Sequence, residues 1–375
     1  MVTVAVDAGG ADLGPREVAA GAERAAAQGI GVLLFGPARE IGPVGAGVEV
    51  IDAPLSIAKT PDPAAAVRRH PDSSIVQAAA AVAAGRAQAL VSGGSTGAAL
   101  AAALFNIKRD RGIYRPALAL PVPRPGERPV LLLDVGANVN CRPEHLVQFA
   151  HMGAAFAEAV LAVERPRVAL LSNGEEPAKG TPELVEAHAR LAGEAGAGLN
   201  FAGNIEGMSL VASLADVVVM DGFTGNVALK AIEGASARTL QALDDLAARS
   251  LRARVGRWLM APALGALRRA ADPEASGGAY MLGLRQLGVV AHGRFTRVGF
   301  ARAIEVAARG VEEEVVARTR EALRSAGALR PTPGYADDAD APKGAAAKSS
   351  AGGIELSGSP GAPGPSGAAA TVLLP

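Results

Sequence analysis

The sequence predicts an α/β protein in which a doubly wound, mainly parallel sheet is sandwiched by helices. Seven short runs of Val, Leu, Ile and Ala end in glycine-bearing polar loops, and helical stretches follow them. The runs are continuously apolar, which is typical of strands that are covered by helices on both faces. Of the 375 residues, 49% are hydrophobic and 3% are aromatic, so small side chains must pack the core.

The strands and their loops occur, in chain order, as TVAVDAGGADLGP, ALVSGGSTGA, VLLLDVGANVN, VALLSNGEEPAKG, LNFAGNIEG, VVVMDGFTGN and VVAHGR. Strands that alternate with helices favour parallel pairing and right-handed crossovers. The carboxyl ends of parallel strands lie along one edge of a sheet, where ligands bind. We therefore expect the seven loops to gather on one rim and to form one site.

The helices are predicted over residues 15–27, 73–84, 143–163, 181–192, 227–246 and, as one long amphipathic helix, 301–326. Residues 1–330 are expected to form one α/β domain. Residues 331–375 are rich in Pro, Ala, Gly and Ser and are expected to be a disordered tail. Residues 87–107 carry no charge, but the LVSGGSTG within them favours a strand, a loop and a helix over a membrane span.

The composition gives no reason to expect a nucleic-acid partner, because 37 basic residues balance 37 acidic ones. Cys141 is the only cysteine, so the chain cannot form an internal disulfide. A zinc site usually needs several Cys or His ligands, and no metal is expected. A reducing, cytoplasmic location fits this cysteine content.

The loop NGEEPAKGT differs from a nucleotide-binding P-loop, because Lys179 precedes Gly180 instead of following a glycine. Its backbone amides at a helix start, with Asn173, Gly174 and Lys179, are still suited to hold an anion. The alternative is a capped turn whose lysine is solvated. Thr181 is the expected N-cap of the helix that follows.

The loop DVGANVNCRPEHL places five polar groups directly after a buried strand: Asp134, Asn138, Asn140, Arg142 and His145. Arg142 is able to bind a phosphate or carboxylate with two hydrogen bonds. The alternative is an Asx-rich turn with His145 satisfied on the helix surface. Cys141 is interpreted as a small, half-buried thiol in preference to a nucleophile.

The loop MDGFTGNVALK brings four polar side chains within reach of one spot: Asp221, Thr224, Asn226 and Lys230. Gly222 and Gly225 are expected to let the backbone approach a ligand closely. The alternative is a capped helix start with Lys230 outside. The loop SGGSTGA has a similar form and supplies the hydroxyl groups of Ser95 and Thr96.

Residues 246–271 form a basic segment with six arginines and no acid: Arg249, Arg252, Arg254, Arg257, Arg268 and Arg269. With Trp258, this pattern predicts an amphipathic helix that binds a membrane surface or an acidic protein. The alternatives are a dimer helix and a solvated face. Pro262 should kink the helix.

The strings DVGANVNCRPEHLVQFAHMG, LLSNGEEPAKGT, NFAGNIEG and DGFTGNVALK resemble the bacterial phosphate acyltransferases of phospholipid synthesis. The resemblance extends from about residue 2 to about residue 325. It implies acyl transfer from acyl-carrier protein to inorganic phosphate, without a cofactor, and an acyl phosphate that feeds glycerol-3-phosphate acylation. It also implies a phosphotransacetylase-like and isopropylmalate-dehydrogenase-like fold. Family members are cytoplasmic homodimers at the membrane surface, which makes the downstream glycerol-3-phosphate acyltransferase an expected partner.

Three loops depart from the family pattern. This chain has DAGGAD where the family usually has DAMGGD, and SGGSTGA where the family has SAGNTGA. It has HGRFTR in place of an HGSSDA-type motif, of which only His292 and Gly293 remain. Asn140 also stands where aspartate is common. These changes bear on the contacts with the substrate more than on the family.

The demands of such a reaction lead to a hypothesis for the roles of residues in the loops. Lys179, Arg142 and Lys230 are candidate ligands of phosphate or phosphopantetheine. Asn138 and Asn226 are expected to donate to phosphate or oxyanion oxygens. Asp221 or Asp134 would orient a lysine or take a proton, and His145 is a further candidate. The other expected substrate contacts are Ser95, Thr96, Asn173, Gly174, Gly222, Thr224, Gly225 and His292.

Three other classes remain open on the sequence. A coenzyme A-dependent phosphate acetyl- or butyryltransferase has a similar fold. A nicotinamide-dependent dehydrogenase is disfavoured because the first strand lacks the G-x-G-x-x-G fingerprint. A non-catalytic, membrane-associated relative with altered loops is the third.

Overall fold

A computed structural model describes residues 1–330 apart from residues 125, 194–197, 213 and 271. The described residues belong to one compact unit. The predicted tail, residues 331–375, lies outside the described residues. Within the described part of the chain, eleven strands form one sheet in the order β3-β2-β1-β4-β11-β10-β5-β6-β9-β7-β8.

The strands are β1 Thr3–Asp7, β2 Gly31–Gly36, β3 Val48–Asp52, β4 Ala89–Ser92, β5 Ala117–Arg124, β6 Glu127–Leu133, β7 Arg167–Leu171, β8 Asn200–Ile205, β9 Val217–Val219, β10 Ala279–Leu282 and β11 Leu287–Val290. Helices cover both faces of this sheet, which confirms the predicted fold class.

The sheet reverses direction at its centre. The pairs β11–β10, β10–β5 and β5–β6 are antiparallel, and the other neighbouring strands pair in parallel. Three reversals leave β1 to β4 and β11 running one way and β6 to β9 running the other. The expectation of one rim is therefore wrong: the loops after β1, β4 and β11 lie at one edge, and those after β6, β7, β8 and β9 lie at the opposite edge.

The helices are α1 Pro15–Ala26, α2 Ala38–Ile41, α3 Pro63–Arg69, α4 Ser74–Ala83, α5 Thr96–Asn106, α6 Pro143–Val160, α7 Pro182–Gly193, α8 Gly222–Ala248, α9 Leu251–Leu259, α10 Ala261–Ala270, α11 Arg297–Glu312 and α12 Val315–Ser325. The apolar sides of α1, α6, α7 and α11 pack on one face of the sheet. Those of α3, α4, α5 and the start of α8 pack on the other.

Most predicted helices agree with the structure to within a few residues, but residues 301–326 do not form one helix. The chain breaks between α11 and α12, where Glu314 has a φ of 53°. Such a left-handed residue interrupts the helical hydrogen-bond pattern. The charge-free window resolves into β4, a loop and α5, as predicted. Among the described residues, no helix is long and apolar enough to cross a membrane.

The basic segment forms two helices instead of one kinked helix. The chain breaks at Met260, and Pro262 lies in the first turn of α10, where a missing N–H costs nothing. Trp258, in the last turn of α9, is 74% exposed. We call α9 and α10, with the loop that joins them, the basic arm. Asp244 of α8 holds the arm through ion pairs with Arg257 and Arg268, at 3.6 and 2.5 Å.

Candidate active site

A fully buried carboxylate organises the loop after β6. Asp134 Oδ1 accepts hydrogen bonds from the N–H groups of Leu118, Gly136 and Ala137 at 2.9 to 3.0 Å. Its Oδ2 accepts from the N–H and the side-chain amide of Asn138, both at 2.8 Å. Burial raises the pKa of the Asp134 carboxyl, and these donors act in the opposite direction. Asp134 therefore shapes the loop from inside and has no free face for a substrate.

Asn138 does not offer its amide to a ligand in this structure. Its Nδ2 donates to Pro116 O and to Asp134 Oδ2, each at 2.8 Å, so both N–H bonds are used. The prediction that Asn138 donates to phosphate is therefore wrong for this arrangement. Asn138 instead ties the loop after β6 to the start of β5.

Gly222 and Gly225 allow α8 to start against that loop. A Cβ at Gly225 would lie 1.9 Å from Asp134 O, and one at Gly222 would lie 2.8 Å from Asn138 N. Gly222 also donates its N–H to Asn138 O at 2.7 Å. The two glycines therefore allow close approach between two protein segments, not the close approach to a ligand that we expected.

Asp221 is the N-cap of α8. Its Oδ1 accepts from Thr224 N at 2.9 Å, and its Oδ2 accepts from Thr224 Oγ1 at 2.7 Å. The capped helix start that we considered as an alternative is thus present. Asp221 and Asp134 lie at the ends of neighbouring parallel strands, since Leu133 pairs with Val219.

A cleft of about 500 Å³ lies on the face of the sheet between α5 and α8. Much of its wall is apolar and includes Leu118, Leu120, Val122, Val211, Leu229 and Ile232. Its polar lining includes Ser95, Thr96, Asn226, Lys230, Glu233 and His292. The cleft thereby joins residues from both edges of the sheet, because α8 starts at one edge and reaches His292 at the other.

Lys230 and His292 meet inside this cleft. Lys230 Nζ lies 3.4 Å from His292 Nε2 and 2.8 Å from Glu233 Oε2. His292 Nδ1 accepts from Arg294 N at 3.2 Å, which leaves the ring proton on Nε2. Burial and then the charge of Lys230 lower the pKa of His292, so the ring is neutral at pH 7. Ser95 caps α5 nearby, its Oγ accepting from Ala98 N at 3.2 Å.

A second buried carboxylate shapes the opposite edge of the sheet. Asp7, at the end of β1, accepts from Ser74 Oγ at 2.6 Å and from Ser92 Oγ at 2.8 Å. Gly94 donates its N–H to Ser92 Oγ at 3.1 Å. Burial raises the pKa of Asp7. Asp7, Ser74 and Glu233 were missed by sequence reasoning, although DAGGAD was recognised as a loop of the family.

Lys179 lies outside the cleft. It is exposed on the loop between β7 and α7, and its stem lies over Gly174, where a Cβ would be 2.7 Å from Lys179 Cγ. Asn173 is also exposed in that loop. β7 pairs in parallel with β9, so this loop starts beside the one that carries Asp221. The structure therefore brings Lys179 to the same sheet edge as Asp221 without a contact to the cleft lining.

Arg142 and His145 belong to the start of α6. The Arg142 side chain is 78% exposed and pairs with Glu144 at 3.8 Å. Its N–H donates to His145 Nδ1 at 3.1 Å, so His145 caps the helix. Burial and nearby Arg115 lower the pKa of His145. His145 is therefore satisfied by its own helix start, as the alternative expected, but it is buried and not on the helix surface.

Cys141 is half-buried beside the same loop. Burial, with the charges of Asp134 and Asp221, raises the pKa of its thiol to about 12. Thiolate is therefore scarce at neutral pH, and the interpretation of Cys141 as a structural thiol agrees with this environment.

Comparison with solved structures defines the class of fold. The structure is similar to a phosphotransacetylase from Streptococcus pyogenes, with a TM-score of 0.54 and 18% identity over 83% of this chain and 94% of that one. It is equally similar to a branched-chain phosphotransacylase from Enterococcus faecalis, with a TM-score of 0.54 and 17% identity over 83% and 99% of the two chains. At this identity the likeness establishes an α/β fold shared with phosphotransacetylases.

Sequence comparison identifies the family within this class. The model of the family described as "Fatty acid synthesis protein" matches residues 2–318. The chain is 42% identical over 329 residues to the phosphate acyltransferase of Pelotomaculum thermopropionicum, over 86% of this chain and 95% of that protein. It is 41% identical to that of Gloeobacter violaceus, over 86% and 97%. The chain therefore belongs to the phosphate acyltransferase family, which confirms the resemblance found in its motifs.

Proposed function

We propose that this protein transfers a fatty acyl group from the thioester of acyl-carrier protein to inorganic phosphate, which yields an acyl phosphate for phospholipid synthesis. The observation that carries the proposal is the cleft, in which an apolar wall adjoins Lys230 and His292. An apolar wall suits a fatty chain, and two N–H donors suit a phosphate dianion.

Two neighbouring donors support the assignment of phosphate to this part of the cleft. Lys230 Nζ and His292 Nε2 lie 3.4 Å apart, so one oxyanion beside both nitrogens would accept from both while Lys230 keeps its bond to Glu233. Ser95 and Thr96 line the same part of the cleft and add hydroxyl groups. Glu233, beside Lys230, holds the ammonium in place.

The reaction needs no nucleophile from the protein. A phosphate oxygen attacks the thioester carbonyl carbon, the C–O bond forms, and the C–S bond breaks to release the carrier thiolate, which takes up a proton. Asn226, which lines the cleft and donates to Val135 O at 3.3 Å, is placed to stabilise the developing oxyanion. The apolar wall excludes water that would hydrolyse the thioester.

Lys179 is assigned to the phosphopantetheine arm of a carrier protein that docks at the sheet edge beside Asp221. Its exposure leaves the ammonium free to reach an incoming carrier. In this assignment Asp221 and Thr224 fix the start of α8, and thereby Asn226, one turn later. Arg142 is solvent-directed and is available for the carrier in the same way.

The basic arm is assigned to peripheral membrane contact from the cytoplasm. Trp258, Leu259 and Met260 are exposed at the junction of its helices, and Arg249, Arg252, Arg254 and Arg257 are exposed beside them. Arg268 is partly exposed in α10, whereas the side chain of Arg269 lies outside the described residues. Apolar tips flanked by arginines suit anionic lipid. The exposed apolar side of α8, which includes Phe223 and Val227, is assigned to the homodimer.

The acidic carrier is the competing occupant of the arm, and the glycerol-3-phosphate acyltransferase is the expected consumer of the product. Flotation with anionic liposomes, without carrier, distinguishes the two occupants. Recovery of the protein with the lipid supports the membrane assignment, and loss of recovery in the paired change Trp258→Ser and Leu259→Ser tests it further. Flotation that needs the carrier would assign the arm to protein binding.

The decisive experiment compares donors with the same acyl chain. Purified protein is given palmitoyl-carrier protein or palmitoyl-coenzyme A, with and without phosphate, while thiol release is followed and acyl phosphate is trapped with hydroxylamine. We expect phosphate-dependent release from the carrier. Preference for coenzyme A would favour the alternative phosphotransacylase, and no release from either donor would favour the non-catalytic relative.

A further inference from the structure

We propose that His188 and Asn204 are positioning residues that hold the loop carrying Lys179. The inference rests on the proposed role of Lys179 and extends it to two residues that make no contact with the cleft. Both side chains are buried, with 8% and 5% of their surface exposed. A buried polar group is costly unless it is hydrogen-bonded, so the partners of these two residues indicate what they hold in place.

The hydrogen bonds form a chain with a fixed direction. Asn204 Nδ2 donates to Glu176 O at 2.9 Å, which leaves Asn204 Oδ1 to accept from His188 Nδ1 at 2.9 Å. Lys179 N donates to the same Glu176 carbonyl at 3.0 Å. The carbonyl that closes the turn at Lys179 is therefore also the one that Asn204 holds.

The sheet is built to aim Asn204 at this loop. Val168 pairs with Phe201 and Ala169 with Gly203, so Ala202 is an extra residue in β8. One extra residue reverses the direction of every side chain after it, and bulges of this kind re-aim side chains near functional sites. Gly203 has a φ of 89°, which suits glycine at the bulge. The motif NFAGNIEG, for which the cleft has no role, thereby acquires one.

His188 is fixed from the other side. It lies on α7, whose buried residues include Leu184, Ala187 and Leu191, and its ring packs edge-on to Phe201 at 5.1 Å between centroids. The helix that follows the loop and the strand that flanks it thus meet at Asn204. With the Glu176 carbonyl held, the stem of Lys179 lies over Gly174 instead of moving with an unrestrained turn.

The test uses the isosteric change Asn204→Asp, which keeps an acceptor for His188 but turns an oxygen toward Glu176 O. Asn200→Asp is the matched control, because Asn200 lies on the same strand and its Nδ2 donates to Arg165 O at 3.0 Å, in the loop before β7. We expect Asn204→Asp to lower kcat/KM for acyl-carrier protein by roughly 10- to 100-fold, as displacement of a positioned group by about 1 Å does. The control should keep its activity.

Two readouts separate positioning of Lys179 from general damage. Hydrogen exchange should speed up in the amides of residues 174–180 in Asn204→Asp and stay unchanged there in Asn200→Asp. The double variant Asn204→Asp and Lys179→Ala should be no slower than Lys179→Ala alone, because both changes remove the same contribution. Multiplied losses in the double variant, or unchanged exchange in Asn204→Asp, would overturn the inference.

The activity of Lys179→Ala separates failure of this inference from failure of the proposed function. A fully active Lys179→Ala variant would remove Lys179 from the mechanism while thiol release still demonstrates acyl transfer. In that case accelerated exchange would support the hold on the loop, and its absence would refute it.

Discussion

Lys230 Nζ lies 3.4 Å from His292 Nε2, with both groups acting as donors in a cleft that is otherwise largely apolar. The two residues come from α8 and from the loop after β11, which start at opposite edges of the sheet. The two side chains meet because α8 runs across the sheet from the edge where β9 ends toward the edge where β11 ends. In the proposed function, a phosphate oxygen accepts from both nitrogens while Lys230 keeps its bond to Glu233.

Loss of either donor should therefore weaken phosphate binding. Lys230→Gln removes the charge, and His292→Asn keeps an acceptor for Arg294 N while it removes Nε2. Each charge-assisted hydrogen bond contributes about 1.5–3 kcal/mol, so kcat/KM for phosphate should fall by roughly 10- to 100-fold. Steady-state kinetics with varied phosphate measure this. Arg294→Gln removes a nearby charge outside the cleft, and an equal loss in that control would contradict a direct contact.

The packing of Gly225 against Asp134 O predicts opposite effects of one substitution at two glycines of α8. Gly225→Ala places a methyl 1.9 Å from a backbone oxygen, which should destabilise the protein by about 3 kcal/mol. Gly234→Ala meets nothing within 4 Å and should stabilise it by up to about 1 kcal/mol. Denaturant unfolding compares the two. Similar free energies of unfolding in both variants would show that α8 does not start against this loop.

The strands that surround the site were predictable, but the direction of the sheet was not. β5 contains Pro121 and Pro123, and prolines argue against a central strand. The structure allows them because β10 pairs with β5 only as far as Ala119, which leaves the proline-bearing part with one neighbour, β6. The sequence pattern did not indicate β5 and β10, and all three antiparallel pairs involve one of these strands. A sheet predicted without them is fully parallel, which is why we expected all the loops at one edge.

The role of an individual residue depends on which hydrogen-bond partners the fold brings to it, and the sequence does not show those partners. DVGANVN predicts a polar loop at a strand end, and the loop is there. Whether Asn138 has a free N–H depends on Pro116, 22 positions earlier, which accepts one of its two N–H bonds. Lys230 and His292 are 62 positions apart, so their contact could be expected only from the fold.

His145 should make the stability of the protein depend on pH. Its Nδ1 accepts from Arg142 N, and protonation would put a proton on that nitrogen and break the cap. Its folded-state pKa is lowered from 6.5, so the unfolded chain binds the proton first, and the free energy of unfolding should fall as pH drops through 6.5. His145→Gln keeps an acceptor at the third helical position and should reduce this dependence. Urea unfolding between pH 5 and 8 measures it, and identical slopes in both proteins would contradict the capping role.

The length of the cleft along α8 should limit the acyl chain. Asn226, Lys230, Glu233 and Ser236 line it from one side of the helix, and Asn226 to Ser236 spans about 15 Å at 1.5 Å per residue. Ser236→Phe would fill the part of the cleft beyond Lys230 and Glu233. Each excluded methylene costs about 4-fold, from about 0.8 kcal/mol, so kcat/KM for a 16-carbon donor should fall by 10-fold or more relative to a 10-carbon donor. Ala235→Phe adds the same ring on the exposed side of α8 that faces away from the cleft-lining residues and should leave the preference unchanged. Equal losses of kcat/KM for the 16-carbon and the 10-carbon donor in Ser236→Phe would show that the acyl chain lies elsewhere, because a shortened cleft must discriminate by chain length.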